Sequence, residues 1–271
     1  MQSWVDGQPA DTLALQSRGL AYGDGLFETI AVKAGRPSLF EYHLERLALG
    51  CQRLAINADL ALIRDELSRY ASLLGEGVLK LILTRGDSQR GYAPAAGVPP
   101  RRILQGNPPA AYPAGNAEHG VKLFECRTRL AEQPLLAGLK HLNRLEQVLA
   151  RSEWQDPDYA EGLMRDITGR VVEGVYSNLF LVRDGVLLTA DLSRCGVAGV
   201  MRAALMVEAA RLGIDVRVGD LALEDLARAD EVFLCNSVYG IWPVCSCGSM
   251  NWSSGPVTRK LQAIARTLLD A

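Results

Sequence analysis

No stretch of this 271-residue chain approaches the ~18 consecutive apolar residues of a membrane span, which excludes a helical transmembrane protein. It also lacks a basic tract and an acidic tail. Charges of both signs are interspersed and sum to −2, so neither nucleic acid nor a membrane surface is the expected main partner, and a small molecule is. Histidine is scarce: His43, His119 and His141 form no ligand cluster, and Cys245-Ser246-Cys247 is too tightly spaced for a CxxC knuckle, so no metal is expected. The six cysteines are scattered, several in apolar strand-like runs such as Val232-Phe233-Leu234-Cys235, and read as buried thiols. Met1 to Gly7 show no basic region followed by an apolar run, and the cytoplasm is the expected compartment. Lysine is the most informative scarcity, with five lysines (Lys33, Lys80, Lys122, Lys140, Lys260) against twenty-four arginines. Lysine is therefore not the default cation here, and each one invites a reason.

What the chain has in abundance is apolar residues, 48%, enough for one large or two ordinary α/β domains with substantial cores. Residues 25–32 and 78–84 read as strands. Leu44, Leu47, Ala48, Cys51, Leu54 and Ala55 recur at helical spacing, as do Leu60, Ile63, Leu67, Tyr70 and Leu74, the second helix stopping at Gly75-Glu76-Gly77. These elements make an α+β domain over 1–106. A Pro/Gly/Ala-rich stretch with Pro108, Pro109 and Pro113 reads as a linker over 107–119, and an α/β domain follows over 120–271. There the expected strands are 121–126, 161–165, 171–176, 178–182, 214–218 and 231–235, and the expected helices 143–154, 199–212, 223–228 and 257–269. Leu145, Val148, Leu149 and Ser152 fall on one side of the first of these helices. No internal repeat is present.

Lys140 stands in Gly138-Leu139-Lys140-His141-Leu142-Asn143-Arg144-Leu145-Glu146. An amine in apolar surroundings loses stability as the ammonium and becomes a nucleophile able to form a Schiff base. The same run equally describes a solvated lysine near a helix start. Cys195-Gly196-Val197-Ala198-Gly199-Val200-Met201-Arg202 leads from a turn into a helix, which would aim backbone N–H groups at an anion, most simply a phosphate; an ordinary glycine turn reads the same way. Arg46 could supply a bidentate phosphate partner or be a surface arginine. Glu173 is a carboxylate within an apolar strand run and would be costly to bury unpaired. It could pair with an arginine or hold a pyridine nitrogen protonated. A Schiff-base lysine, a carboxylate for a ring nitrogen and a phosphate cradle are together the requirements of pyridoxal phosphate.

Motifs in order along nearly the whole chain carry a resemblance: Tyr22-Gly23-Asp24-Gly25-Leu26-Phe27-Glu28-Thr29, His43-Leu44-Glu45-Arg46-Leu47, Lys140 with Asn143, Glu173 with Ser177-Asn178-Leu179-Phe180, Gly199-Val200-Met201-Arg202, and Asn236-Ser237 before Pro243-Val244. The chain resembles the pyridoxal-phosphate enzymes of fold type IV, the class IV family of branched-chain and D-amino acid aminotransferases. The runs Gly138 to Gln147 and Pro243 to Gly248 resemble its lyase members rather than its aminotransferases. The resemblance implies a two-domain, D-amino acid aminotransferase-like fold with a cofactor-binding second domain, pyridoxal 5'-phosphate as cofactor, and a homodimer. It further implies Lys140 as the Schiff-base lysine, Glu173 as partner of the pyridine nitrogen and Arg46 as a phosphate ligand. Backbone N–H groups of Val200 and Met201, with Asn236 or Ser237, would complete the phosphate site. Met201 and Ser237 align with positions where the family often has threonine, so backbone contact is the expectation at Met201. Arg90 and Tyr92 align with a loop that binds substrate carboxylate in relatives, and Thr29 is expected near the cofactor, assisting proton transfer. The implied reaction converts 4-amino-4-deoxychorismate to 4-aminobenzoate and pyruvate on the way to folate. An aminotransferase acting on D- or branched-chain amino acids is the alternative, and a phosphate-binding regulator without catalysis a third.

Overall fold

The computed structural model describes residues 2–88 and 91–270, and the chain divides into two compact units. The first contains Met1–Ala110, Leu139–Asn143 and Leu269–Ala271; the second contains Ala111–Gly138 and Arg144–Leu268.

In the first unit, strand Gly25–Lys33 pairs antiparallel with Gly77–Thr84, which pairs with Arg101–Asn107; the short strands Arg36–Pro37, Trp4–Val5 and Gln8–Pro9 complete a six-stranded sheet. Alternation along the strands sends Leu26, Ile30 and Val32 with Leu79, Leu81 and Leu83 into one core, and Leu44, Leu47 and Cys51 of helix Phe40–Leu54 and Ile63, Leu67 and Tyr70 of helix Leu60–Leu74 join it. The helical spacing read from the sequence is thus the buried stripe of both helices, except for Ala55, which lies just past the end of Phe40–Leu54 at φ +51° and is exposed. Helix Leu60–Leu74 starts on the Asp59 carboxylate, which accepts from Ala61 and Leu62 N–H at 3.0 Å, and ends at Gly75 with φ +71°. Strand Arg101–Asn107 runs to the edge of the proline-rich stretch; its pattern of half-buried residues carries no alternation that periodicity could have detected.

The second unit holds a nine-stranded sheet of mixed direction. Strands Asn178–Arg183, Glu231–Asn236, Gly240–Cys247, Val121–Leu130, Tyr159–Asp166 and Val171–Gly174 follow one another, and the last returns to the first through the pair Glu173 and Asn178, so six strands close on themselves. Strands Val186–Ala190 and Val216–Gly219 extend it beyond Asn178–Arg183, and the short strand Met250–Asn251 pairs with Gly240–Cys247 as the ninth. Phe180 and Phe233 face each other across two strands, stacked at 5.1 Å and fully buried. Helices Val200–Arg211 and Pro256–Asp270 match their expected positions, the last residues of Pro256–Asp270 falling in the first unit. The expected helix 143–154 is shorter, Leu145–Arg151, and the stripe expected on one side of it is exposed: Leu145 by 76%, Val148 by 57% and Leu149 by 60%, with Ala150 the buried residue. Strands Val186–Ala190 and Gly240–Cys247 were not expected. Cys51, Cys126, Cys195, Cys235 and Cys247 are buried free thiols and Cys245 is half-buried. No helix among the described residues is long and apolar enough to cross a membrane.

Candidate functional site

Strand Gly25–Lys33 organises the chemistry of the first unit. The segment Leu139–Asn143 lies along it: Phe27 N–H donates to the Lys140 carbonyl at 2.9 Å, and Leu142 N–H to the Gly25 carbonyl at 3.0 Å. Leu139 enters the core, and the half-buried Lys140 places Nζ 4.4 Å from the centre of the Phe27 ring. Lys80 also approaches that ring, at 5.5 Å, and is the cross-strand partner of Thr29. Two-residue alternation puts Thr29 on the same strand face as Phe27, the face that Lys140 addresses. Asn143 fixes the end of the segment, its Nδ2 donating to the Gly23 carbonyl at 3.1 Å; a Cβ on Gly23, whose φ is +62°, would meet the Asn143 oxygen at 2.8 Å.

The opposite face of the strand carries Glu28, a charge set between the core residues Leu26 and Ile30. Its carboxylate takes Arg46 Nε at 2.9 Å and His43 Nδ1 at 2.5 Å, and it also accepts from Arg46 Nη2. Burial alone would push the carboxyl up, but the Arg46 charge and the His43 hydrogen bond outweigh it and hold Glu28 at about 2. His43 is pushed below its usual value, chiefly by burial, which keeps the ring neutral with the Nδ1 proton given to Glu28. Arg46 is thus held rigidly in a bidentate grip by Glu28, a residue of the run Tyr22 to Thr29 whose place beside Arg46 no local pattern announces.

Asp24 gathers the loop that follows strand Gly77–Thr84. It accepts from Arg18 Nε at 2.8 Å and Arg85 Nε at 2.9 Å, and these arginines together hold its carboxyl low against burial. Arg18 then donates to Ser88 Oγ and to the carbonyls of Gly91 and Tyr92. Tyr92 itself is 86% exposed, its ring 5.4 Å from that of Tyr22. Arg90 lies outside the described residues.

In the second unit, Glu173 is 3% exposed. Val197 N–H donates to its Oε2 at 2.8 Å, and Asn178 Nδ2 lies 3.5 Å from the same oxygen. Arg144 belongs to the surroundings of Glu173 as well: burial draws the Arg144 pKa down while Glu173 and Glu146 oppose the shift. Helix Val200–Arg211 begins at Gly199, which has no side chain to cap it, so Val200 and Met201 N–H lie in the first turn, where no intrahelical acceptor exists. Arg202 anchors the helix through Thr189 Oγ1 at 3.2 Å and the Ala190 carbonyl at 2.9 Å. Asn178 pairs with Cys235, which sets residues 236–239 at the same end of the sheet. There the Asn236 oxygen closes the turn by accepting Val238 and Tyr239 N–H at 2.9 and 3.0 Å, and Ser237 is carried on that turn.

The structure therefore brings Lys140 and Thr29 to one strand face of the first unit, and Glu173 to the start of Val200–Arg211 in the second. The donor sets fit pyridoxal phosphate on chemical grounds: N–H groups without intrahelical acceptors suit an anion, a buried carboxylate already fixed by an N–H suits a protonated ring nitrogen, and a lysine amine suits an aldehyde.

The sequence profile of the amino-transferase class IV family matches residues 25–247. An aminodeoxychorismate lyase of Vibrio harveyi is 38% identical over 97% of this chain and 99% of its own length. A branched-chain-amino-acid aminotransferase of Escherichia coli K12 is 30% identical over 97% and 88%. The crystal structure of 4-amino-4-deoxychorismate lyase from Pseudomonas aeruginosa superposes with a TM-score of 0.97 at 60% identity, covering 99% of this chain and 100% of that one.

Proposed function

From the premise that this chain belongs to the amino-transferase class IV family, we propose that it is a pyridoxal-phosphate-dependent aminodeoxychorismate lyase that converts 4-amino-4-deoxychorismate to 4-aminobenzoate and pyruvate. The observation that carries this is the 60% identity over 99% of the chain to the Pseudomonas aeruginosa lyase, against 30% to the Escherichia coli aminotransferase.

Lys140 attaches the cofactor through Nζ, Glu173 holds the ring nitrogen protonated, and the N–H groups of Val200 and Met201, with Arg46 and Ser237 or Asn236, receive the phosphate. When bound, the cofactor supplies an electron sink for the carbon that carries the substrate amine. Lys140 Nζ would serve as the general base that takes the proton from C4 of the substrate. The C3–O bond then breaks with its electron pair leaving on enolpyruvate, and the ring becomes aromatic. Lys140, now an ammonium, delivers a proton to the departing enolpyruvate, which becomes pyruvate. Thr29, on the strand face shared with Phe27, assists this proton transfer, and Arg90 and Tyr92 are the proposed contacts to substrate carboxylates. We read the protein further as a cytoplasmic homodimer; Leu145, Val148 and Leu149, exposed on one short helix, favour burial against another chain.

The test mixes purified protein, pyridoxal phosphate and enzymatically generated 4-amino-4-deoxychorismate, and follows 4-aminobenzoate by fluorescence and pyruvate by a coupled assay. Equal amounts of both products are expected. Lys140→Ala is expected to lose the visible absorbance of the lysine-bound cofactor and nearly all turnover. Accumulation of pyridoxamine phosphate with an amino acid donor, and no 4-aminobenzoate, would make the chain an aminotransferase instead.

A further inference from the structure

Asn178 stands in the run Ser177-Asn178-Leu179-Phe180 that follows Glu173. It is 5% exposed and stands at the pair with Glu173 through which the six-stranded ring closes. Its carboxamide makes use of both ends. The Oδ1 atom accepts Gly199 N–H at 3.0 Å, immediately before the first turn of helix Val200–Arg211. The Nδ2 atom donates to the Val197 carbonyl at 2.8 Å and lies 3.5 Å from Glu173 Oε2. Val197 closes the circuit, because its own N–H donates to that same Glu173 oxygen at 2.8 Å.

Two glycines show that the segment 196–199 is shaped around these groups. Gly196 has φ +85°, and a Cβ there would come within 3.2 Å of Glu173 Oε2. At Gly199 a Cβ would lie 2.0 Å from Asn178 Oδ1, so only a residue without a side chain leaves room for the amide. The same segment pairs with Gly138, which donates to the Gly196 carbonyl and accepts from Ala198 N–H, two residues before Lys140 in the chain.

We infer that Asn178 is a positioning residue, which locks the carboxylate of Glu173 and the start of helix Val200–Arg211 into one rigid piece and so fixes the spacing between the group that meets the cofactor's ring nitrogen and the groups that meet its phosphate. This rests on the reading above that Glu173 and the Val200 and Met201 N–H groups hold pyridoxal phosphate. A ligand gripped at two points gains only if both points are held at the ligand's own spacing, and Asn178 holds both.

The experiment measures, for the parent, Asn178→Ala, Gly199→Ala and the double variant, the dissociation constants of pyridoxal phosphate and of phosphate-free pyridoxal, together with the pH at which the absorbance of the bound cofactor titrates. In Asn178→Ala, affinity for pyridoxal phosphate is expected to fall about tenfold, affinity for pyridoxal to fall by less, and the titration to move. Gly199→Ala, which evicts the amide from the other side, is expected to reproduce these changes, and the double variant to add little to either. Asn178→Asp keeps the acceptor for Gly199 but replaces the donor with a second carboxylate beside Glu173; it should retain most of the preference for the phosphorylated ligand while the added charge also moves the titration. Should Asn178→Ala fail to fold, the other two single variants carry the same readouts. A fall in thermal stability with both affinities and the titration unchanged would overturn the inference, as would full additivity of the two alanine variants. A parent protein that binds no pyridoxal phosphate would overturn the cofactor reading and this inference with it, whereas a parent that binds and variants that bind equally well would overturn the inference alone.

Discussion

Each unit buries a glutamate on a strand, and the two are driven in opposite directions. Glu28 of the first unit, 2% exposed, is held at about 2 because Arg46 and His43 outweigh the effect of burial. Glu161 of the second unit is fully buried, has no cation paired with it among the described residues, and is pushed up to about 8 by burial; Gly162 and Val175 N–H on Oε1 and Ser177 on Oε2 offset only part of this. Burial alone thus says nothing about the charge of a carboxylate; its partners decide. Glu28 is an anion that fixes a guanidinium, and Glu161 is a neutral acid that ties down the turn between Glu173 and Asn178.

The largest expected effect that sharpens this contrast is Glu28→Gln, which leaves Arg46 without its counter-charge and should cost about 3–5 kcal/mol in denaturant unfolding. A loss below about 1 kcal/mol would show that the pair is not the buried ion pair described. The matching change Glu161→Gln should cost about 1 kcal/mol or less, since a glutamine oxygen can accept both N–H groups and its amide can meet Ser177 Oγ.

The pH dependences should also run in opposite senses. Glu28 has a depressed pKa, so its stabilisation is present above about 4.5 and is lost as pH falls toward about 2; the deficit of Glu28→Gln should shrink over that window. Glu161 has a raised pKa, so between about 4.5 and 8 the unfolded chain ionises while the folded one keeps its proton, and stability is lost as pH rises. Glu161→Gln should therefore gain on the parent from pH 5 to pH 8, and parallel curves would contradict the assignment.

The smallest effect separates two helix starts. Asp59 caps Leu60–Leu74 with its side chain, whereas Gly199 leaves the start of Val200–Arg211 without a side-chain cap. Asp59→Ala should cost about 1 kcal/mol in thermal or denaturant unfolding, with no change in cofactor affinity.

Much of this was legible in the residues. The buried stripes of Phe40–Leu54 and Leu60–Leu74 follow from 3.6-residue spacing, and Gly25–Lys33, Gly77–Thr84 and Glu231–Asn236 from apolar runs between turn signals. Gly240–Cys247 went unread because Pro243 and the Cys-Ser-Cys run mask a strand, and the Leu145–Arg151 face because an exposed apolar stripe has the same pattern as a buried one. Lys140, Glu173, Arg46 and Thr29 stand out by residue type and motif. Glu28 and Asn178 lie within the same motifs but show no role locally, since their partners, Arg46 and His43 for the one and Gly199 for the other, come from distant parts of the chain.

By itself the sequence determined the local elements, the family and the residue types that carry the chemistry, because periodicity, turn residues and ordered motifs are local properties of the chain. Only the tertiary structure decided that residues 139–143 return to lie along strand Gly25–Lys33, that Glu28 grips Arg46 eighteen residues away, and that Asn178 joins Glu173 to Gly199. Those pairings depend on which strand neighbours which and on the register between them, and such long-range choices are made by the packing of the whole sheet rather than by any segment of it.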